Sequence, residues 1–110
     1  LNLSVRIQEK PIEAGLYGRL SALYADQKDI EKSNQFLKKG LKISTNLANQ
    51  KLLGEQYFLL ALNYQELGDL DNAKEYARKS VEAYLKTDEV ASGHKARELH
   101  DSLQPMIDST

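Results

Sequence analysis

The 110-residue sequence contains no cysteine and no tryptophan, and it has only two prolines and six glycines. Without cysteine the chain has no disulfide, no thiolate nucleophile and no thiolate metal ligand, which is compatible with a cytoplasmic location. Its longest apolar run, residues 57–62, is far shorter than the ~20 residues that a membrane-spanning helix requires. The formal net charge of −1 gives no overall attraction to nucleic acid or anionic lipid. We therefore expect no membrane partner.

The abundant residues favour helix. Alanine, leucine, lysine, glutamate and glutamine recur throughout, whereas the two residue types that interrupt helices are scarce, and we predict an all-α fold. An internal repeat divides the chain, because residues 1–40 align with residues 41–80 and the identities are mostly core-type residues at helical spacing. The clearest pairs are Tyr17 with Tyr57, Leu20 with Leu60, Tyr24 with Tyr64 and Asp29 with Asp69.

Each unit is predicted to be a helical hairpin. Its first helix carries tyrosine, leucine and tyrosine at positions i, i+3 and i+7, which places all three on one core-facing side. A break follows at Lys28 and Asp29 in the first unit and at Gly68 and Asp69 in the second. The aspartate caps the next helix, and the residue before it takes the left-handed conformation, which costs lysine about 1 kcal/mol. The second helices are predicted over residues 30–47 and 70–86.

These residues resemble the tetratricopeptide repeat. The family's signature of an aromatic residue, a leucine, a small residue and a tyrosine is met by Tyr17, Leu20, Ser21 and Tyr24, and again forty residues later. The resemblance implies an α-solenoid of antiparallel hairpins that binds a protein or peptide along its concave face, without catalysis and without a cofactor. The sequence departs from the family pattern in lacking its closing proline and in having a period of forty rather than 34.

The repeat boundaries predict five segments. Residues 1–10 are expected to be the tail of a preceding helix that Pro11 stops, and residues 11–50 and 51–87 are the two repeats. Residues 88–104 are expected to form a C-terminal capping helix limited by Pro105, with the first helix of a degenerate third repeat as the alternative, and residues 105–110 a tail. Because the chain does not begin with methionine, we expect a fragment of a longer protein. The apolar stripe of the capping helix consists of Ala96, Leu99, Leu103 and Met106.

No pattern indicates an active site. His94 and His100 lie six residues apart, about 240° around a helix, so they do not converge on one metal ion. The sequence has no serine–histidine–aspartate order on suitable elements and no glycine-rich phosphate loop. A group of lysines on the second helix of the first unit is interpreted as a solvated face, because acidic and amide residues share that segment. We predict no enzyme activity, no metal and no direct contact with nucleic acid.

The candidate binding site comes from a contrast between the first helices of the two hairpins. Small residues, Gly18 and Ala22 among them, form a trough on the first, whereas the second carries Phe58 and Leu62 on its matching side. Either the large residues fill the trough, or part of it stays open for a ligand. We expect a mixture, with Leu59 and Leu62 buried and Phe58 partly accessible. The predicted ligand-binding residues are Gly18, Arg19, Ala22, Asp26, Glu55, Phe58, Leu62 and Gln65.

Two other functions stay open. The chain is alternatively a peptide-sensing segment of a bacterial transcription regulator, whose DNA-binding domain would precede it. It is alternatively a self-association domain, which would make it a homo-oligomer. The residues identify neither the partner nor whether a bound peptide is extended or helical.

Overall fold

The computed structural model describes residues 2–108, with side chains over residues 12–103, and its architecture is entirely helical in that part of the chain. The five helices are α1 (Asn2–Asp26), α2 (Ile30–Leu47), α3 (Gln50–Glu66), α4 (Leu70–Leu85) and α5 (Val90–Asp108). Helices α1 and α2 pack as one hairpin and α3 and α4 as the next, while α3 also contacts α1 and α2, and α5 covers α4. The predicted all-α solenoid of hairpins is confirmed.

The turns inside the two hairpins have the predicted geometry. Lys28 has φ of 66° and Gly68 has φ of 80°, so each ends its helix in the left-handed conformation. The next residue caps the following helix: the Asp29 carboxylate accepts a hydrogen bond from the Lys32 backbone N–H at 3.2 Å, and Asp69 does the same for Asn72. As a result α2 spans the predicted residues, and α4 ends one residue earlier than predicted.

The turn between the hairpins was not predicted in this form. Ala48 has φ of 53° and ends α2, although alanine rarely adopts a left-handed backbone. The Asn49 side chain then caps α3 by accepting a hydrogen bond from the Leu52 backbone N–H at 3.1 Å. This turn contains neither glycine nor proline, so its sequence carries no strong turn signal.

A stack of three aromatic rings holds each hairpin together. In the first hairpin the Phe36 ring lies between those of Tyr17 and Tyr24, with ring centroids 6.0 and 5.4 Å apart. The second hairpin repeats both distances at Tyr57, Tyr76 and Tyr64. Stacking at these separations contributes about 1 kcal/mol per pair beyond the area buried. Equivalent rings in equivalent geometry confirm the alignment of the two units.

The leucines of the two signatures differ in burial. Leu60 is 1% exposed and Leu20 is 37% exposed, so the expectation that Leu20 lies in the core is wrong. Leu60 shares a face of α3 with Gln56 and Asn63, and that face packs against α2. Within residues 2–108 no helix packs against the matching face of α1, and Leu20 therefore meets solvent.

Buried polar groups join the first hairpin to the second. The Gln56 side-chain amide donates to the Ala14 carbonyl at 3.1 Å, and its oxygen accepts from the Ser44 hydroxyl at 2.9 Å. A Cβ atom at Gly40 would lie 2.7 Å from the Gln56 Nε2 atom, so only glycine leaves this amide its space. One side chain thereby connects three helices.

The carbonyl of Gly54, forty residues after that of Ala14, is bonded from within the second hairpin and not from the next helix along the chain. Ser80 stands forty residues after Gly40, and its hydroxyl donates to the Gly54 carbonyl at 2.8 Å. The residue forty after Gln56 is Ala96, which is fully buried. The Ser80 hydroxyl on α4 thus bonds the Gly54 carbonyl, whereas the longer Gln56 side chain on α3 bonds the equivalent carbonyl of Ala14.

Both prolines lie inside helices, which corrects two predicted boundaries. Helix α1 runs through Pro11 and α5 runs through Pro105. Proline removes one backbone hydrogen bond and crowds the preceding turn, which bends a helix without ending it when both flanks remain helical. The division of the chain into five segments otherwise stays a prediction. Leu1, residues 109–110 and the Met106 side chain lie outside the described part.

Helix α5 follows the prediction over its described stripe. The Thr87 hydroxyl accepts a hydrogen bond from the Glu89 backbone N–H at 3.0 Å just before the helix begins. Ala96 and Leu103 are fully buried, and Leu99 packs against the cluster that Leu103 forms with α3 and α4. The helix therefore covers the open side of the second hairpin, whether it acts as a cap or as part of a third repeat.

Candidate functional site

A cavity of about 420 Å³ lies between α1 and α3. These are the first helices, or A helices, of the two hairpins, and we call the cavity the A-helix groove. Helix α1 supplies a small-residue floor, α3 supplies one wall, and α4 contributes a single tyrosine at one end. Its volume is within the range of pockets that hold small ligands or single side chains. The lining residues are Ala14, Gly15, Gly18, Arg19, Ala22, Leu52, Glu55, Gln56, Phe58, Leu59 and Tyr84.

The floor is open because two of its residues are glycines. A Cβ atom added at Gly15 or Gly18 would meet no atom within 4 Å among the residues whose side chains the structure describes. Glycine in a helix interior costs about 1 kcal/mol relative to alanine. At Gly40 and Gly54 close neighbours occupy the space where a side chain would stand, but at Gly15 and Gly18 nothing does. The two floor glycines therefore create room that residues 12–103 leave empty.

The wall formed by α3 is largely apolar. Phe58 and Leu59 are both half-buried and line the A-helix groove, so neither has fully packed against α1. Leu52 continues this wall towards the start of α3. The large residues of α3 and the trough of α1 therefore face one another with space between them.

The charged groups of the groove lie at its edges. Arg19 projects from α1 and Glu55 from α3, and both are exposed at the surface. Partial burial raises the pKa of the Glu55 carboxyl, with a further rise from Glu89 and an opposing effect of Lys51. Lys51 itself lies 3.4 Å from the Glu89 carboxylate.

Tyr84 closes one end of the groove. Its ring packs so tightly against α3 that a Cβ atom at Gly54 would lie 2.9 Å from ring carbons. Burial raises the pKa of Tyr84 to about 12, and the nearby Glu55 carboxylate contributes to the same shift. The Tyr84 hydroxyl therefore stays protonated and neutral at physiological pH.

Comparison with known proteins agrees with these repeats. A family model described as the tetratricopeptide repeat matches residues 14–47 and 55–87. The chain belongs to the tetratricopeptide repeat family. The matched segments correspond to α1 with α2 and to α3 with α4. No curated protein and no solved structure matches the chain. Repeats of this family generally mediate protein–protein interaction and form a non-catalytic fold.

Five of the eight residues predicted for ligand binding line the A-helix groove. They are Gly18, Arg19, Ala22, Glu55 and Phe58. The other three, Asp26, Leu62 and Gln65, are not among its lining residues.

The expectation that Leu62 is buried between the repeats is wrong, because its side chain is 37% exposed. Leu62 lies one turn beyond Phe58 on α3, outside the residues that line the groove. Leu59, expected to be buried with it, is half-buried and forms part of the wall.

Sequence reasoning missed three lining residues that matter to the shape. Leu52 and Gln56 precede the tyrosine signature of the second repeat, and Tyr84 comes from the second helix of that repeat. A signal for Tyr84 was present, since a glycine at position 54 in the middle of a helix indicates close approach by a large neighbour. The position of that neighbour in sequence was not indicated.

The described residues also bear on metal binding and on membrane insertion. No three of their histidine, aspartate and glutamate side chains are grouped so that they could hold a metal ion. None of the helices combines the length and apolar character needed to cross a membrane, within the part of the chain that the structure describes.

Proposed function

We propose that the chain is a peptide-binding module whose A-helix groove receives an apolar side chain of a partner protein. The observation that carries this proposal is the empty space over Gly15 and Gly18, opposite the half-buried Phe58 and Leu59. Burying one large apolar side chain in such a site contributes about 2 kcal/mol. A segment that also contacts the groove edges would bind with the micromolar affinity common among transient partners.

The composition of the groove supports a peptide rather than a small polar metabolite. The lining is mostly alanine, glycine, leucine and phenylalanine, and its charged members stand at the edges. An extended or helical segment lying along α1 and α3 would place one side chain over the floor glycines and others against Phe58. A polar metabolite would leave most of this apolar surface unmatched.

Filling the floor tests the proposal without damaging the fold. Gly18→Leu places a side chain in the groove, and because no atom of the described side chains lies within 4 Å of the new Cβ atom, none of their core contacts is lost. Replacing a helical glycine favours helix by up to about 1 kcal/mol, so the melting temperature should stay equal or rise. Gly93→Ala is the control, since it also replaces a helical glycine outside the groove lining, and its new Cβ atom would lie at an ordinary contact distance of 3.5 Å from the Tyr84 Cβ atom.

The assay selects dodecapeptides from a random display library on the immobilised chain and measures their affinity by isothermal titration. We expect Gly18→Leu to weaken binding at least tenfold while Gly93→Ala leaves it unchanged. Equal affinity for both variants would place the binding surface elsewhere. Failure to select any peptide with a dissociation constant below a millimolar would contradict the proposal.

A second candidate function, self-association, is favoured by one observation. Four aliphatic residues of α1 are exposed on the face that no helix covers within residues 2–108, and they are Ile12, Leu16, Leu20 and Leu23. Sedimentation equilibrium distinguishes this candidate, because a dimer that Leu16→Glu dissociates would support it and a monomer at millimolar concentration would exclude it. The transcription-regulator alternative would use the same groove to read a peptide.

A further inference from the structure

Glu55 supplies a carboxylate at the edge of a groove wall that is otherwise apolar. Its carboxylate makes no hydrogen bond or ion pair with any side chain between residues 12 and 103. Its neighbours in the groove wall are Leu52, Phe58 and Leu59, which offer it no compensation. Partial burial raises the pKa of this exposed carboxylate, and a bound cation would favour its charged form.

The surrounding charges compensate this acid only in part, since Lys51 opposes the rise in its pKa while Glu89 adds to it. On the same helix, Lys51 lies one turn earlier but is paired with Glu89 of the α4–α5 loop at 3.4 Å. From α4 only the neutral Tyr84 faces it, and from α1 Arg19 lines the groove without forming an ion pair with it. The α3 side of the groove therefore carries one excess negative charge, because the carboxylates of Glu55 and Glu89 face the single ammonium of Lys51.

We propose that the A-helix groove selects peptides that carry a lysine or arginine next to the apolar residue that occupies its floor, with Glu55 as the acceptor. This inference rests on the proposed peptide-binding function and adds the chemistry of the partner. The apolar side chain lies over Gly15 and Gly18, and the basic side chain runs along the α3 wall to the Glu55 carboxylate. Lysine and arginine suit this path because their aliphatic stems cover apolar surface while the charged end reaches an acid.

The same arrangement predicts how binding depends on pH. Burial raises the pKa of Glu55, and the protonated form cannot pair with a cation. Affinity for a basic peptide should therefore be lowest in acid and increase as pH rises through the raised pKa of Glu55. Over that interval binding releases a proton, because the cation stabilises the carboxylate. A neutral peptide should show neither effect.

The test uses synthetic dodecapeptides with a central leucine on an alanine and serine background. Each remaining position carries in turn lysine, norleucine or glutamate, so that charge varies at similar length. We expect the best lysine peptide to bind about fivefold more tightly than its norleucine counterpart, in the range of a partly exposed charge pair, and the glutamate peptide to bind most weakly. Glu55→Gln should remove the lysine advantage and leave the norleucine affinity unchanged.

Two controls separate charge at this position from other causes. Glu31→Gln removes an exposed carboxylate on α2, outside the A-helix groove, and should retain the lysine preference. Titration of the unmodified chain in buffers of different ionisation enthalpy measures the released proton directly, which keeps the test valid if Glu55→Gln folds poorly.

The outcomes separate this inference from the function on which it rests. Tighter binding of glutamate peptides, or a lysine preference that survives Glu55→Gln, would overturn the role of Glu55. Equal binding of all three peptide classes would overturn the charge preference while leaving peptide binding intact. If none of the peptides bound, and none emerged from the random library, the proposed function would fail together with this inference.

Discussion

The two ways in which this chain joins neighbouring helices can be exchanged by mutation. At the first contact Gly40 leaves space for Gln56, whose amide bonds the Ala14 carbonyl. At the second contact the equivalent positions hold Ser80 and Ala96, and the serine bonds the equivalent carbonyl. The double variant Gly40→Ser with Gln56→Ala should therefore build the second arrangement at the first site.

Each single change should be destabilising for a different reason. Gln56→Ala removes two buried hydrogen bonds and most of a side chain that is 2% exposed, which we expect to cost about 3 kcal/mol. Gly40→Ser brings a Cβ atom to 2.7 Å from the Gln56 amide nitrogen, and this crowding should cost about 2 kcal/mol. In the double variant the new hydroxyl reaches the carbonyl and the clash with the Gln56 amide is gone. The new Cβ atom still lies 3.3 Å from the Tyr17 Cβ atom, and the Ser44 hydroxyl loses its partner, so part of the cost remains.

A double-mutant cycle measures the rescue. Urea unfolding followed by circular dichroism gives the free energy of unfolding of the four proteins, and we expect the double variant to lie within about 2 kcal/mol of the parent. Simple addition would put it about 5 kcal/mol below the parent, so the coupling is about 3 kcal/mol. Additive losses would show that the two contacts are not equivalent, and would refute the reasoning from the forty-residue period.

Three further predictions concern the turns and the tyrosines. Lys28→Gly relieves a left-handed backbone that costs lysine about 1 kcal/mol, but it also removes the exposed 3.3 Å ion pair with Glu66, which contributes little. The melting temperature should therefore rise modestly. A decrease would mean that the ion pair matters more than the turn. Tyr64→Ala should lower the free energy of unfolding by about 3 kcal/mol, because its ring stacks on Tyr76 at 5.4 Å, and an unchanged melt would contradict its place in the core. Because burial raises the pKa of Tyr84 to about 12, the folded state keeps a proton that the unfolded state releases from about pH 10, and stability should decline as pH rises between these values. Tyr84→Phe should flatten that decline, and an equal slope in both proteins would assign it to other groups.

Much of the fold follows from local sequence signals. The bounds of α2 and the left-handed Lys28 were predictable because an aspartate cap and a helix-ending position stand together in both units. The turn at Ala48 was not predictable, because neither glycine nor proline marks it. The asparagine cap that follows it is a weaker signal. The two prolines misled because a proline removes one backbone hydrogen bond from a helix without having to end it, and both helices run on through theirs.

The site was predictable only where it depends on one helix face. The small residues of α1 and the large residues of α3 indicated a trough with an apolar wall, and Gly18, Glu55 and Phe58 do line it. The ends of the groove depend on how far α1 extends beside α3 and on which α4 residue fills the space over Gly54. These are three-dimensional relations between helices, and periodicity within one helix contains no information about them.

The central claim is that the A-helix groove is the docking surface, and the position of a bound peptide tests it most directly. Backbone amide signals of the isotopically labelled chain can be followed by nuclear magnetic resonance as a selected dodecapeptide is added. If the A-helix groove binds the peptide, the signals of Gly15, Gly18 and Glu55 should move together and saturate at one affinity. Movement confined to the exposed face of α1 around Leu16 and Leu23, with the groove glycines unchanged, would contradict it.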